Sequence, residues 1–243
     1  MRSLLSKLPV PRAILAAAML LLPFAALRAD TVTAQFIGVN PGEVVSVSAG
    51  GTKYVGLEAG YFNWKYLSGA TQFSPSFQSF CVELNRGVNN ITTFTTAPLT
   101  PKFSDVQAAR LQEFWGEHFA QIGQDARKAA AFQLGVWEIV NESGTTNLDL
   151  SSGNFTVLTS GRDATNAATV ALSQSWLNDV NGSGSMESSL ALLLSRDTQN
   201  QLTVTHPPTV PVPPAAILGG MGLVSLVGYG LRRRKLLAAN PAK

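Results

Sequence analysis

Cysteine and histidine are almost absent from this sequence: one cysteine, Cys81, and two histidines, His118 and His206, in 243 residues. A lone cysteine excludes an internal disulfide framework, and without a His/Cys cluster no set of three or four ligands converges on a zinc ion. No G-x-S-x-G turn is present, and the glycine-rich pieces lack phosphate-loop spacing. Ser-His-Asp hydrolysis would need His118 as its base, yet His118 falls on an apolar helix stripe, where a boundary-core histidine is the commoner arrangement; His206 falls in a proline-rich segment. No internal repeat is found. Charge is sparse too, at 14 % of residues, and it is unevenly placed.

Both ends read as targeting segments. Arg2, Lys7 and Arg12 precede an apolar run from Ala13 to Leu22, and small residues around Ala25-Ala26-Leu27-Arg28-Ala29 offer a cleavage site before Asp30, so residues 1–29 are expected to be a secretory signal peptide. At the other end His206-Pro207-Pro208-Thr209-Val210-Pro211-Val212-Pro213-Pro214 is a stiff linker, residues 206–214. An uncharged apolar run, 215–231, follows at the short limit for a membrane span. The basic cluster Arg232-Arg233-Arg234-Lys235 within 232–243 is expected to hold that end in the cytoplasm. The middle, residues 30–205, is then exported.

Residues 30–209 hold nine basic groups against all fifteen acidic ones, a net charge of −6. The basic overall balance therefore belongs to the ends, and nucleic-acid binding is excluded. The order of proline motif, apolar span and arginine-rich end resembles the PEP-CTERM sorting signals of exported Gram-negative proteins. The motif here is Val210-Pro211-Val212-Pro213-Pro214-Ala215, with Val212 where the commonest version has glutamate. The resemblance implies recognition by an exosortase-type sorting enzyme, initial anchoring in the inner membrane, and delivery to the cell surface or the extracellular matrix. A plain single-span anchor has the same order of parts.

In the exported part, residues 31–37, 43–47, 53–58, 77–84 and 91–95 are short, β-branched or alternating, and Asn40-Pro41-Gly42 and Ala49-Gly50-Gly51 punctuate them as expected turns. Ser104 caps a helix whose apolar stripe includes Val106, Leu111, Phe114, Trp115, His118, Phe119 and Ile122, ending near Gly123. A second helix runs from Asp125 to Glu142, stopped by Ser143-Gly144. A strand over 154–158, a third helix over 164–180 with Trp176 on its apolar face, and a hairpin of 189–194 with 201–205 complete the chain. Strands, then helices, then strands predict one α+β domain: a mainly antiparallel β-sandwich or barrel with a helical insertion.

Two residues stand out. Gln133 shares its helix face with Ala129, Ala130, Val136, Trp137 and Val140, so its amide points into an apolar stripe. Leaving such an amide unsatisfied costs on the order of 1–3 kcal/mol. Cys81, in the apolar strand Ser79-Phe80-Cys81-Val82-Glu83-Leu84, has three readings: a small buried hydrophobe, an intermolecular disulfide partner, or the thiol of an internal thioester with Gln133. Only the third also accounts for the buried glutamine.

The pair resembles the thioester domains of bacterial surface adhesins, which have an aromatic-Cys-aliphatic-acidic strand and a T-Q-x-A-[aliphatic]-W helix motif. Phe80-Cys81-Val82-Glu83 matches the first, while Gln133, Val136 and Trp137 match the second; Phe132 stands in place of the threonine and Gly135 in place of the alanine. The resemblance spans about residues 80–141. It implies a Cys81–Gln133 cross-link supported by Trp137 and Glu83, no cofactor, and one-shot attachment to an amine on a surface or matrix partner rather than enzymatic turnover. The alternative is a non-covalent structural matrix or biofilm protein with an unreacted Cys81.

Overall fold

The computed structural model describes residues 30–70, 72–142 and 147–205. The expected signal peptide, proline linker, membrane span and basic tail, and the Ser143-Gly144 helix stop, lie outside the described residues. Among the described residues no helix is long and apolar enough to cross a membrane.

The domain is α+β and antiparallel throughout. In chain order it comprises β1 (Thr31–Ala49), β2 (Thr52–Gly69), β3 (Ser76–Cys81), β4 (Ile91–Ala97), α1 (Asp105–Ile122), α2 (Ala126–Asn141), β5 (Phe155–Val157), α3 (Ala167–Asp179), β6 (Leu190–Leu194) and β7 (Gln201–Val204). The strand order is β2-β3-β7-β6-β4-β1-β5, and β1 also pairs with β2. Val32 faces Phe94 on one side and Gly69 on the other, so the pairings of six strands close on themselves. The expected closing hairpin is β6–β7, with Leu190 opposite Val204.

Asn40-Pro41-Gly42 is not the turn that its composition predicts. β1 runs straight through it, with register shifts between Phe36 and Gly38 and between Val39 and Gly42. A bulge absorbs a residue that lacks a backbone donor, so proline is tolerated inside the strand. Gly60 in β2 makes the close approach possible, since a Cβ there would lie 2.6 Å from the Gly42 Cα. The real turn is Gly50-Gly51, both at positive φ, the conformation a two-residue hairpin demands. β2 consequently continues far past residue 58, carrying Tyr61, Phe62 and Trp64 into the core.

α1 starts as expected, with a capping box between Ser104 and Gln107. The Gln107 amide also donates to the Ile139, Val140 and Glu142 carbonyls and so closes the C-terminus of α2. Val106, placed in the apolar stripe by spacing, is instead half exposed, because the buried face of α1 begins two residues later at Ala108. α2 is the centre of the core. Every residue from Ala129 to Ile139 is buried, since α1 and α3 pack on it and β1 and β2 pass across it.

That burial accounts for Phe132 and Gly135. Phe132 lies 4.6 Å from Phe80, 4.7 Å from Phe114 and 5.3 Å from Trp115 between ring centroids, so it joins β3, α1 and α2 through aromatic contact. Gly135 leaves room for the Phe114 ring: a Cβ there would sit 2.9 Å from both Phe114 Cε atoms, with Cζ closer still. Alanine at 135 gains about 1 kcal/mol in helix propensity but overpacks a filled core, which costs typically 1–3 kcal/mol. Because Phe114 is fully buried and has nowhere to turn, overpacking wins. Gly135→Ala is expected to lower urea-unfolding stability by about 1–2 kcal/mol; equal or greater stability in the variant would show that the helices separate freely.

Candidate functional site

Cys81 ends β3, and β3 lies between β2 and β7. Its ladder partner on β7 is Gln201. Beneath it a polar chain runs through the core: the Trp64 indole N–H donates to Ser79 Oγ at 2.8 Å, and Ser79 Oγ donates to Gln201 Oε1 at 2.8 Å. These bonds fix the strand end and its partner before any chemistry is considered.

The structure brings Cys81 and Gln133 together across 52 residues of chain. The backbone N–H of Cys81 donates to Gln133 Oε1 at 3.1 Å, and Gln133 Nε2 donates to the Cys81 carbonyl at 2.8 Å. This is the two-bond exchange that a neighbouring strand residue would make, supplied here by a side chain from α2. Both residues are buried. The pairing satisfies the amide whose apolar surroundings made it conspicuous, and it places the amide carbon beside the Cys81 backbone.

Burial pushes the Cys81 thiol up to about 12; contacts with the Trp137 side chain and the Glu83 and Cys81 backbone pull it down, and the Glu83 charge raises it further. At neutral pH the sulfur is therefore protonated. Trp137, one turn after Gln133, is 1 % exposed, and its Nε1–H has only a weak interaction with the Cys81 sulfur, short of full hydrogen-bond geometry. Cys81 and Trp137 both line a cleft of about 330 Å³ whose walls include Phe36, Val39, Leu57 and Val88.

Glu83 holds the turn that follows. Its carboxylate accepts from Lys102 Nζ at 2.9 Å and from the Asn200 backbone and side-chain N–H groups at 3.0 and 2.9 Å, with Arg86 at 3.9 Å. Burial pushes its pKa up, but the Lys102 and Asn200 hydrogen bonds and the two cations outweigh this and hold it below the usual range. Glu83 thus clamps the strand end to the β6–β7 loop. It has no bond to Gln133 among the described residues.

His118 is buried against Trp176, with rings stacked 5.1 Å apart and Nε2 3.2 Å from the Trp176 carbonyl. Its Nδ1 lies 3.2 Å from the Gln121 amide, and Asp179 stands 3.7 Å from Nε2. Desolvation lowers its pKa, against the pull of Asp179 and the Trp176 carbonyl. Its partners are those of a core histidine.

Spacing alone did not reveal a second polar centre, at the end of α2. Glu138 is fully buried; its Oε1 accepts from the Asp149 N–H at 2.7 Å and its Oε2 has no partner. Glu142, one turn on, accepts from the Asn154 and Phe155 N–H groups at 2.5 and 3.0 Å. Together they tie the chain entering β5 to the helix. An acidic residue flanked by Trp137 and Ile139 was the available signal, and its meaning depended on a loop that sequence spacing cannot place.

No family model matches the chain, and neither the curated proteins nor the solved structures contain a significant match.

Desolvation raises the Glu138 pKa from 4.5 to about 8; the Asp149 N–H opposes it, and the charges of Glu142 and Asp149 add to it. A raised carboxyl favours the protonated fold. Its contribution is complete below the unfolded pKa near 4.5 and is lost as pH rises toward and through 8. Urea unfolding between pH 5 and 9 should therefore show stability falling with pH in the wild type and a flatter profile in Glu138→Gln. Identical slopes would remove Glu138 as the titrating group.

Proposed function

We propose that this domain forms an internal thioester between Cys81 and Gln133 and uses it for covalent attachment to a partner amine. The observation that carries the reading is the reciprocal pair of hydrogen bonds joining the Gln133 amide to Cys81. In the forming step the Cys81 sulfur attacks the Gln133 amide carbon. Negative charge develops on Oε1, where the Cys81 N–H already donates. The C–N bond then breaks, the thiol proton passes to the departing nitrogen, and ammonia leaves. An incoming primary amine reverses the sense: its nitrogen bonds to the same carbon, the C–S bond breaks, and the sulfur takes up a proton. Burial favours the neutral thiol and so drives that last protonation. The event is a single turnover. The closed six-strand ring with its buried helix is a barrel-type scaffold, compatible with the resemblance to thioester adhesin domains.

A second reading, an uncoupled structural matrix protein, draws on the same bonds: an amide already satisfied by backbone gains less from reacting. Intact mass separates the two. With the thioester, freshly secreted protein should be lighter than its sequence mass by roughly 17 Da, one ammonia, and Cys81→Ala should abolish the deficit. The bond would also close the 81–133 loop, adding about 4 kcal/mol of stability in the chain-entropy treatment of cross-links. A full mass with a fully titratable thiol leaves the matrix protein standing.

Export and sorting belong to the same proposal. The signal peptide, the Val210-Pro211-Val212-Pro213 motif, the apolar span and Arg232, Arg233 and Arg234 would deliver the domain to the surface of a Gram-negative cell through an exosortase-type enzyme. Replacing residues 232–235 with serine should misorient the tail and reduce surface yield, because positive charge fixes the cytoplasmic end. Unchanged yield and orientation, scored by protease accessibility of a C-terminal tag, would count against it.

A further inference from the structure

The cleft over the site stops short of the carbon that must react. It is lined by Cys81 and Trp137 but not by Gln133, which has no exposed surface. Gln133 lies one helical turn before Trp137 on the same face of α2, and its amide is held on the Cys81 backbone. A nucleophile that enters the cleft therefore meets sulfur and indole first.

The indole is placed to give way. Its Nε1–H has only a weak interaction with the Cys81 sulfur, short of full hydrogen-bond geometry, so turning the ring gives up little. Turning toward the wet cleft would instead give that N–H a full partner, which lowers the cost of opening. Trp115 carries a buried, unpartnered indole N–H, but it is packed in the aromatic cluster with Phe80, Phe119 and Phe132 and does not line the cleft. The cleft walls are apolar at Phe36, Val39, Leu57, Phe62 and Val88; Glu58, Glu83 and Arg86 also line it, with Arg86 already paired to Glu83 and Glu58 exposed at the edge. Such walls accommodate methylene groups, and a carboxylate at the edge attracts a cationic amine.

We propose that this cleft is the entry channel for the partner amine and that Trp137 is its gate, closed over the Gln133 carbonyl at rest and displaced by an extended alkyl amine. The inference rests on the thioester reading, and it adds regulation to that reading: water and small amines, which gain nothing from the channel walls, are kept out, whereas an amine on a long unbranched stem opens the way.

Intact-mass kinetics on the full ectodomain tests this, using methylamine and cadaverine at equal free-base concentration. The wild type should lose its 17 Da deficit faster with cadaverine than with methylamine. Trp137→Phe, which retains an aromatic ring but leaves a gap, should react about tenfold faster with methylamine and hydrolyse faster in buffer alone, so that the preference shrinks. Val88→Trp, which adds bulk to another lining residue of the channel, should slow cadaverine selectively. Cooperative urea unfolding of both variants guards against a merely loosened fold. A deficit present in all three proteins, with rates and preference unchanged by either substitution, overturns the gate and leaves the thioester intact. Absence of the deficit in the wild type overturns both.

Discussion

A pair of hydrogen bonds between one side-chain amide and one residue's backbone joins the two halves of this domain. Gln133 sits in the most buried helix of the fold, and Cys81 at the end of a strand 52 residues earlier. Because an unsatisfied amide in that position costs on the order of 1–3 kcal/mol, α2 can adopt only those rotations that deliver Gln133 to Cys81. The aromatic cluster of Phe80, Phe114, Trp115 and Phe132 forms around that fixed point. Gly135 is what lets α1 come close enough to join it.

The polar groups that surround this core act as fasteners. Glu83 holds the end of β3 to the β6–β7 loop, Gln107 closes the end of α2, and Glu138 with Glu142 secures the chain before β5. Each joins different segments of the chain, and each has backbone N–H or C=O groups among its partners. They hold in place loops that would otherwise carry buried, unpaired backbone groups. The arrangement concentrates such fasteners around Cys81, whereas the Trp137 indole N–H has only a weak interaction with the Cys81 sulfur.

Local patterns carried a good part of the fold. Ser104, Asp125 and the apolar spacings placed α1 and α2 to within a residue or so, and the β6–β7 hairpin fell where the turn composition put it. These features are short-range: a cap needs a donor three residues away, and a hairpin needs a turn between two strands. Asn40-Pro41-Gly42 defeated the same reasoning, because a proline-glycine pair serves equally for a turn or for a bulge. Which one forms depends on whether Gly60 of the neighbouring strand stands opposite. Val106 shows the same limit on a helix, where period alone cannot tell at which turn the partner surface begins.

By itself the sequence determined that Cys81 and Gln133 are the unusual residues of the central part of the chain, since each is a chemical exception in an apolar pattern. It also determined the antiparallel α+β class, through periodicities of two and 3.6 residues that belong to the local chain. Only the tertiary structure decided that the two exceptions meet, how the amide is oriented on the strand, and that Trp137 rather than Gln133 faces the cleft. The reason is physical: the contact spans 52 residues and is created by the closing of the sheet and the packing of three helices against one another. No local signal encodes the outcome of that packing.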